Sequence, residues 1–327
     1  MSADKPSFLA ISRTIPFRYF QSRLGSATYR LNTIFVGLEH VANGADKLES
    51  GAAVTWTKPA NKNTAKQAAD QARIFACSAA TAFVVDMADQ YISAVVKEKW
   101  LDFPDFVQKI ATKAETRAAE KGGAYSLAER AKTVADHLQL ADADLLLALL
   151  ELLAKWRNAT IHSDDRNLSL SVVSREVLTK SKQLLYEKYS HFDIDLALDN
   201  FNKKKLPVAK EITSLIAAAQ NLFRSIDEAA IKKAAGTQLT MKDALYNVLR
   251  EHFYTRDPEY TLITARVAEF MQGDDEQRRC YLLKVMCPLG ITYTTSPISA
   301  KLGDSDLDEL LAMDTEQLVK KLDNTSR

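Results

Sequence analysis

The sequence predicts an all-α protein. Its 327 residues hold only ten glycines and eight prolines, too little turn chemistry for a sandwich or barrel of many short strands. Alanine, leucine, lysine and glutamate, all strong helix formers, are abundant. Apolar residues also recur at helical spacing along nearly the whole chain.

The elements follow in order. Pro16 suits the first turn of a helix running to about Gly44. After a polar loop, KLESGAAVTWTKPANKN, Asn63 or Thr64 can cap a long second helix through Lys99, built on Ala68, Phe75, Ala82, Val85 and Ile92. A third helix spans Pro104–Glu120 and is halted by Gly122-Gly123. Ser126 with Glu129 is a capping-box signature for a fourth. The fifth starts near Asp142 and carries LLLALLELLAKW, apolar on almost all sides, so it belongs at the centre of a bundle; it ends near His162, before SDDRN. A sixth, Val172–Tyr189, closes this half. The segment DNFNKKKLP then breaks or redirects the chain. Beyond it come helices at Val208–Ala235, Thr240–Tyr254, Pro258–Met271 and Asp275–Met286, a short extended piece within Pro288–Pro297, and a last helix, Ser305–Leu322. The expected organisation is a helical bundle over residues 1–200 and a helical C-terminal region over 201–327.

Composition bounds what the chain can do. Hydrophobic residues at 46% and charged residues at 26% exclude wholesale disorder. Lysine plus arginine number 43 and aspartate plus glutamate 42, so no global field draws the protein to nucleic acid or a membrane, and any such affinity must come from local patches. Cys77, Cys280 and Cys287 show no Cys-x-x-Cys spacing, which argues against a disulfide framework or a cysteine zinc site and fits a reducing compartment. Cys77, inside RIFACSAATAFVV, reads as a buried, inert thiol. The most apolar uncharged run, Ile74–Val85, falls well short of the ~18–20 residues of a membrane span. The N-terminus has no continuous apolar core with a small-residue cleavage site, so no secretory signal is expected. Its acid-poor stretch from Lys5 to Leu38 mimics a mitochondrial transit peptide, yet it runs without a break into a helical pattern and reads as a basic first helix of the mature fold.

Candidate chemistry begins with absences. No Gly-rich phosphate loop, His-x-x-x-His pair or Gly-x-Ser-x-Gly elbow occurs, and the histidines at 40, 137, 162, 191 and 252 lack metal-ligand spacing; no metal or cofactor is expected. One histidine stands out. The fifth helix ends LLAKWRNATIHSDD, placing Arg157 and Asn158 ahead of His162. A histidine moves protons near neutral pH, and an arginine fork holds a phosphate and stabilises its added charge as phosphorus becomes five-coordinate. This suits RNA cleavage, where the ribose 2′-hydroxyl is already the nucleophile. Asn158 and His162, four apart, share a helical face, so the amide can fix the imidazole tautomer. Arg157 and His162 are five apart, about 140° around the axis and ~7.5 Å along it, and converge if the helix frays at His162. Arg157 serving the carbonyls at its helix end, with His162 at the same pole, is the purely structural alternative. Arg130 and His137 form a second match seven residues apart, ~10.5 Å along the axis; beside Glu129 and Lys132, Arg130 reads as part of a solvated surface.

The combination of Arg157-Asn158, an apolar helix before it, His162 and a polar loop behind it resembles the HEPN superfamily, helical-bundle proteins whose ribonuclease members carry Arg, a polar residue often Asn, then His on a late helix. The resemblance is clearest over residues 140–190, extends by helix order to roughly 15–195, and leaves the C-terminal third unmatched. It implies a metal-independent endoribonuclease with a site assembled where two domains pair, so Arg157 and His162 carry over as catalytic and Asn158 as their polar companion. HEPN toxins silenced by a nucleotidyltransferase antitoxin often have a tyrosine two residues after the histidine; Asp164 stands there in this chain, so that silencing is not implied. Some members add an acidic residue from an early helix, a place Glu39 would take.

Arg13, Arg18, Arg23 and Arg30 are interleaved with Phe17, Tyr19, Phe20 and Tyr29. Two readings stay open: an RNA-binding stripe that stacks bases, or core aromatics beneath a solvated arginine face. Lys203–Lys205 reads as a solvated linker, with guiding RNA as the alternative, and Trp156 reads as packing. The expectation is a cytoplasmic homodimeric HEPN-type endoribonuclease acting on RNA, a toxin or antiviral-defence effector, with 201–327 regulating it or binding a protein partner. The alternative is a catalytically silent helical scaffold for protein assembly.

Overall fold

The computed structural model describes residues 8–44, 59–114, 124–161, 169–254, 260–287 and 290–324. The fold is all-α: fourteen helices and one two-stranded antiparallel sheet lie among these residues. Strand β1 (Phe8–Ile11) leads into α1 (Ile15–Gly44), which forms a long hairpin with α2 (Lys62–Val95). α2 is capped by Asn61, whose side chain accepts from the Thr64 amide while the Thr64 hydroxyl accepts from the Asn61 amide. A single 3-10 turn (Lys99–Leu101) precedes α3 (Asp105–Ala111), α4 (Leu127–His137) and α5 (Asp144–Ile161). Then come α6 (Val172–Lys180), α7 (Lys182–Lys188), α8 (Ile194–Asn202), α9 (Ala209–Ala235), α10 (Gln238–Tyr254), α11 (Tyr260–Met271), α12 (Asp275–Met286), strand β2 (Ile291–Thr294), α13 (Asp304–Leu311) and α14 (Thr315–Asn324).

α5 is the central helix its sequence suggests: Leu149, Leu150, Leu152, Leu153 and Trp156 are fully buried, and it packs on α2, α4, α6 and α9. The Ser126–Glu129 capping box opens α4, and β2 is the extended piece expected after Pro288. Cys77 is buried, which pushes its thiol up to about 11, a value that leaves it unreactive.

Several elements differ from the expectation. The third helix stops at Ala111 because Lys113 turns left-handed (φ +63°) and the Ala114 amide reaches back to the Lys109 carbonyl. The helix expected over 172–189 bends at Ser181 into two, and the last helix divides because Asp314 and Gln317 build a new capping box. Helix α8, capped by Asp193, occupies residues expected to be irregular. Arg130 is not part of a solvated surface: it is 1% exposed, pairs with Asp89 and donates to the Ala111 carbonyl at 2.8 Å.

Packing runs straight across residue 200. Phe17 and Phe20 of α1, Tyr91 of α2 and Phe223 of α9 form one aromatic cluster with ring centroids 4.9–6.2 Å apart. β1 pairs with β2 in the register Phe8↔Thr294 to Ile11↔Ile291, so the first described residues are held by the C-terminal third. The Ile11 carbonyl accepts from the Ile298 and Ser299 amides, and Leu9 bridges to Leu302.

Candidate active site at the end of α5

The last turns of α5 carry the sequence motif. Trp156 anchors them: its ring is buried edge-on against Phe201 of α8, and its Nε1–H donates to the Lys205 carbonyl at 2.9 Å. A buried indole N–H needs such an acceptor. One residue further round the helix, Arg157 reaches the edge of the core with its side chain 26% exposed. Its Nη1 donates to the Asn158 side-chain oxygen at 3.3 Å and its Nη2 meets Asp86 of α2 at 3.5 Å. The Nε of Arg157 is buried and has no partner among the described residues. Among the described residues its guanidinium bonds go to side chains, not to the carbonyls at the end of its own helix.

Asn158 is half-buried beside the arginine that uses its oxygen. Ile161 is the last residue of α5; His162 and Asp164 lie outside the described residues. The structure thus brings Arg157 and Asn158 together. Compared with protein-family models, with curated proteins and with solved structures, the chain matches none.

Glu39 does not stand with Arg157. It pairs with Arg73 and accepts from Asn43 within the α1–α2 hairpin. The acidic side chain that meets Arg157 is Asp86 of α2. No local pattern marks it, because α2 must be packed on α5 before residues 71 apart in sequence meet. The lysine run is also closer than a linker reading suggests. The Trp156–Lys205 bond fixes its backbone against α5, while the side chains of Lys204 and Lys205 are exposed.

The arginines of the N-terminal stripe separate. Arg18 donates to the Cys287 and Gly290 carbonyls and to Thr292 Oγ1, tying α1 to the start of β2. Arg23 lies over the exposed Tyr19 ring, 5.6 Å from its centroid, and Arg30 is exposed. Arg13 sits beyond β1, outside α1 altogether. Phe17 and Phe20 are core, and Tyr19 and Tyr29 face solvent. Two of the four aromatics are committed to packing, and one of the four arginines to holding a strand. Among the described residues no helix is long and apolar enough to cross a membrane.

Proposed function

We propose that the chain is a HEPN-type, metal-independent endoribonuclease acting at the end of α5. The observation that carries the reading is the Arg157 guanidinium, held at the solvent boundary by Asn158 and Asp86 shortly before the helix ends. In this reading Arg157 grips the non-bridging oxygens of the scissile phosphate. The ribose 2′-oxygen forms a bond to phosphorus as its proton passes to an imidazole. The bond from phosphorus to the 5′-oxygen breaks as that oxygen takes a proton. The products carry 2′,3′-cyclic phosphate and 5′-hydroxyl ends. His162 is the proton carrier, and in a homodimer two copies divide the two transfers because a two-fold axis brings the same patch of each subunit together. Exposed Lys204 and Lys205 add positive charge for the incoming strand. The setting proposed is the cytoplasm, in a toxin or antiviral-defence role, with residues 201–327 regulating the site or docking a protein partner.

The test is cleavage of single-stranded RNA in EDTA by wild type, Arg157→Ala and His162→Ala. Wild type should cut and leave cyclic phosphate ends, and both variants should be inactive with unchanged circular dichroism. An excess of His162→Ala chains should also lower activity per wild-type chain under subunit exchange. Wild-type rates in both variants, or a strict magnesium requirement, would sink the proposal.

A second reading, a protein-assembly scaffold, is favoured by one feature. The far end of the α1–α2 hairpin exposes Tyr29, Val36 and Phe75, the last 76% exposed. That reading is supported if purified wild type cuts no RNA.

A further inference from the structure

A second cavity, built from none of the residues at the end of α5, lies where the β1–β2 sheet meets α9. It holds about 320 Å³. Three segments remote in sequence line it: Ser12 and Arg13 after β1, Arg224 and Glu228 on α9, and Thr295 and Ser296 after β2. Two exposed arginines from segments remote in sequence therefore border one space. Neither the Arg13 nor the Arg224 side chain makes an ion pair or hydrogen bond with a described residue, although Glu228 stands one turn from Arg224.

Asp227, also in the wall, does not serve as their counter-ion. Its carboxylate is turned into the core, where it accepts from the Thr14 amide at 3.0 Å and from the Thr14 hydroxyl, beside the Tyr91 hydroxyl. Two arginines that border one cavity without an ion pair to a described residue are free to turn toward an anion held there, and the arginine fork matches phosphate oxygens in pairs.

Size and lining narrow the anion. Ligand pockets span roughly 300–1,000 Å³, so this one is at the small end. The one aromatic residue in its wall, Phe17, is buried and spent on the core cluster, so no exposed ring offers a stacking platform for a base. The Thr294 hydroxyl accepts from the Ser296 amide at 3.1 Å, and the hydroxyls of Ser12, Thr295 and Ser296 remain for a polyhydroxylated body.

We propose that this cavity binds a small sugar phosphate, its phosphate between Arg13 and Arg224 and its hydroxyls toward Ser12, Thr295, Ser296 and Glu228. Binding would bridge the N-terminal strand, α9 and the segment after β2.

Titration calorimetry on the full chain tests this with ribose 5-phosphate, ribose, inorganic phosphate and a 5′-phosphorylated RNA oligonucleotide. Ribose 5-phosphate should bind saturably, ribose should not, and inorganic phosphate should bind more weakly. Arg13→Gln and Arg224→Gln should each weaken ribose 5-phosphate at least about tenfold, the scale of one lost charge-assisted pair, without lowering the melting temperature. Arg30→Gln and His162→Ala should leave the isotherm unchanged, which separates this site from the ribonuclease reading. Absence of saturable binding, or wild-type affinity in both arginine variants, would overturn the site. Inorganic phosphate as tight as ribose 5-phosphate, or RNA about tenfold tighter through an affinity that Arg13→Gln and Arg224→Gln both lower and Arg157→Ala does not, would overturn the sugar-phosphate assignment.

Discussion

Arg130 and Arg157 meet the same helix one turn apart, and the fold treats them in opposite ways. Arg130 of α4 pairs with Asp89 of α2, and Arg157 of α5 with Asp86. Both leave Nε buried without a described partner, so the difference lies in the outer nitrogens. Those of Arg130 are fully engaged by Asp89, the Ala111 carbonyl and, at 3.4 Å, Ser93 Oγ. Those of Arg157 touch Asn158 and an aspartate that is 57% exposed, at 3.3 and 3.5 Å. Arg130 joins α2, α3 and α4 from within, and burial lowers its pKa because the charged form is costly there. Arg157 keeps a loosely held, accessible fork. One cation is consumed by the fold, while the other, among the described residues, has bonding capacity left over.

Exchanging the two by mutation should give the largest effects and opposite ones. Arg157→Ala should lower RNA cleavage by at least about 10²-fold, the scale of losing one group that stabilises transition-state charge. Its partly exposed ion pair contributes only about 0–1 kcal/mol, so chemical melts should barely move. Arg130→Ala should leave the chemistry of the site alone but destabilise the chain by about 3 kcal/mol, because removing one partner strands a buried acceptor and part of a charge. Asp89 keeps Lys113 at 2.7 Å, which tempers that loss. Urea melts and cleavage rates on both variants check the comparison. A stability loss in Arg157→Ala equal to that of Arg130→Ala would make Arg157 a structural residue.

The same contrast explains what the sequence made legible. Helix starts were readable where side chains cap them, as at Ser126–Glu129, because the signal is local. Helix ends were harder. α3, α4 and α8 finish with Lys113, Gln139 and Lys204 in the left-handed region, each followed by an amide that reaches back five residues. Glycine usually takes that place, so neither glycine nor proline marks the end of α3 or of α8. The Arg157-Asn158 pair was legible because its members are neighbours. Asp86 was not, and neither were the partners of Arg130. Along the sequence Arg130 stands beside exposed Glu129 and Lys132, but on the helix it falls with Leu127, Ala131 and Val134 on the buried face, where Asp89 and Ala111, supplied by other helices, meet it. The cavity between Arg13 and Arg224 was hidden for the same reason: its walls come from three distant segments.

Asp227 extends the comparison to an aspartate that has no arginine. Burial, reinforced by nearby Glu228 and opposed by the Thr14 donors, raises its carboxyl from 3.8 to about 7. The folded state therefore holds a proton that the unfolded state has released between those values. The stability from this group is fully present below about pH 4, is lost as pH rises to about 7, and stays lost above. Asp227→Asn cannot titrate, so the gap between wild type and variant should shift against wild type by about 4 kcal/mol from about pH 4 to pH 8. Urea melts of the pair across that range measure it, since every other group titrates in both proteins. A constant gap would mean that Asp227 keeps an ordinary carboxylate pKa in the fold.

Asp86→Asn should produce the smallest change, and its direction separates two roles for that residue. Asp86 is more than half exposed and 3.5 Å from Arg157, so its ion pair contributes at most about 1 kcal/mol and the melt should be unchanged within that. Removing its charge does two things to the proposed site. It raises the net positive charge facing the RNA by one, which should lower KM and steepen the dependence of binding on salt. It also loosens the tether that aims the guanidinium, which should lower kcat, because misplacing a group that stabilises the transition state costs rate even when binding is intact. A positioning residue therefore gives a split, with KM and kcat both falling by less than about tenfold and kcat/KM nearly constant. If Asp86 instead took part in proton transfer, Asp86→Asn would lower kcat by about 10²-fold or more and reshape the acidic limb of the pH profile. Steady-state rates for wild type and Asp86→Asn at two salt concentrations and across pH distinguish these outcomes. A rise in KM would contradict both, because it would mean that the carboxylate itself helps to hold the RNA.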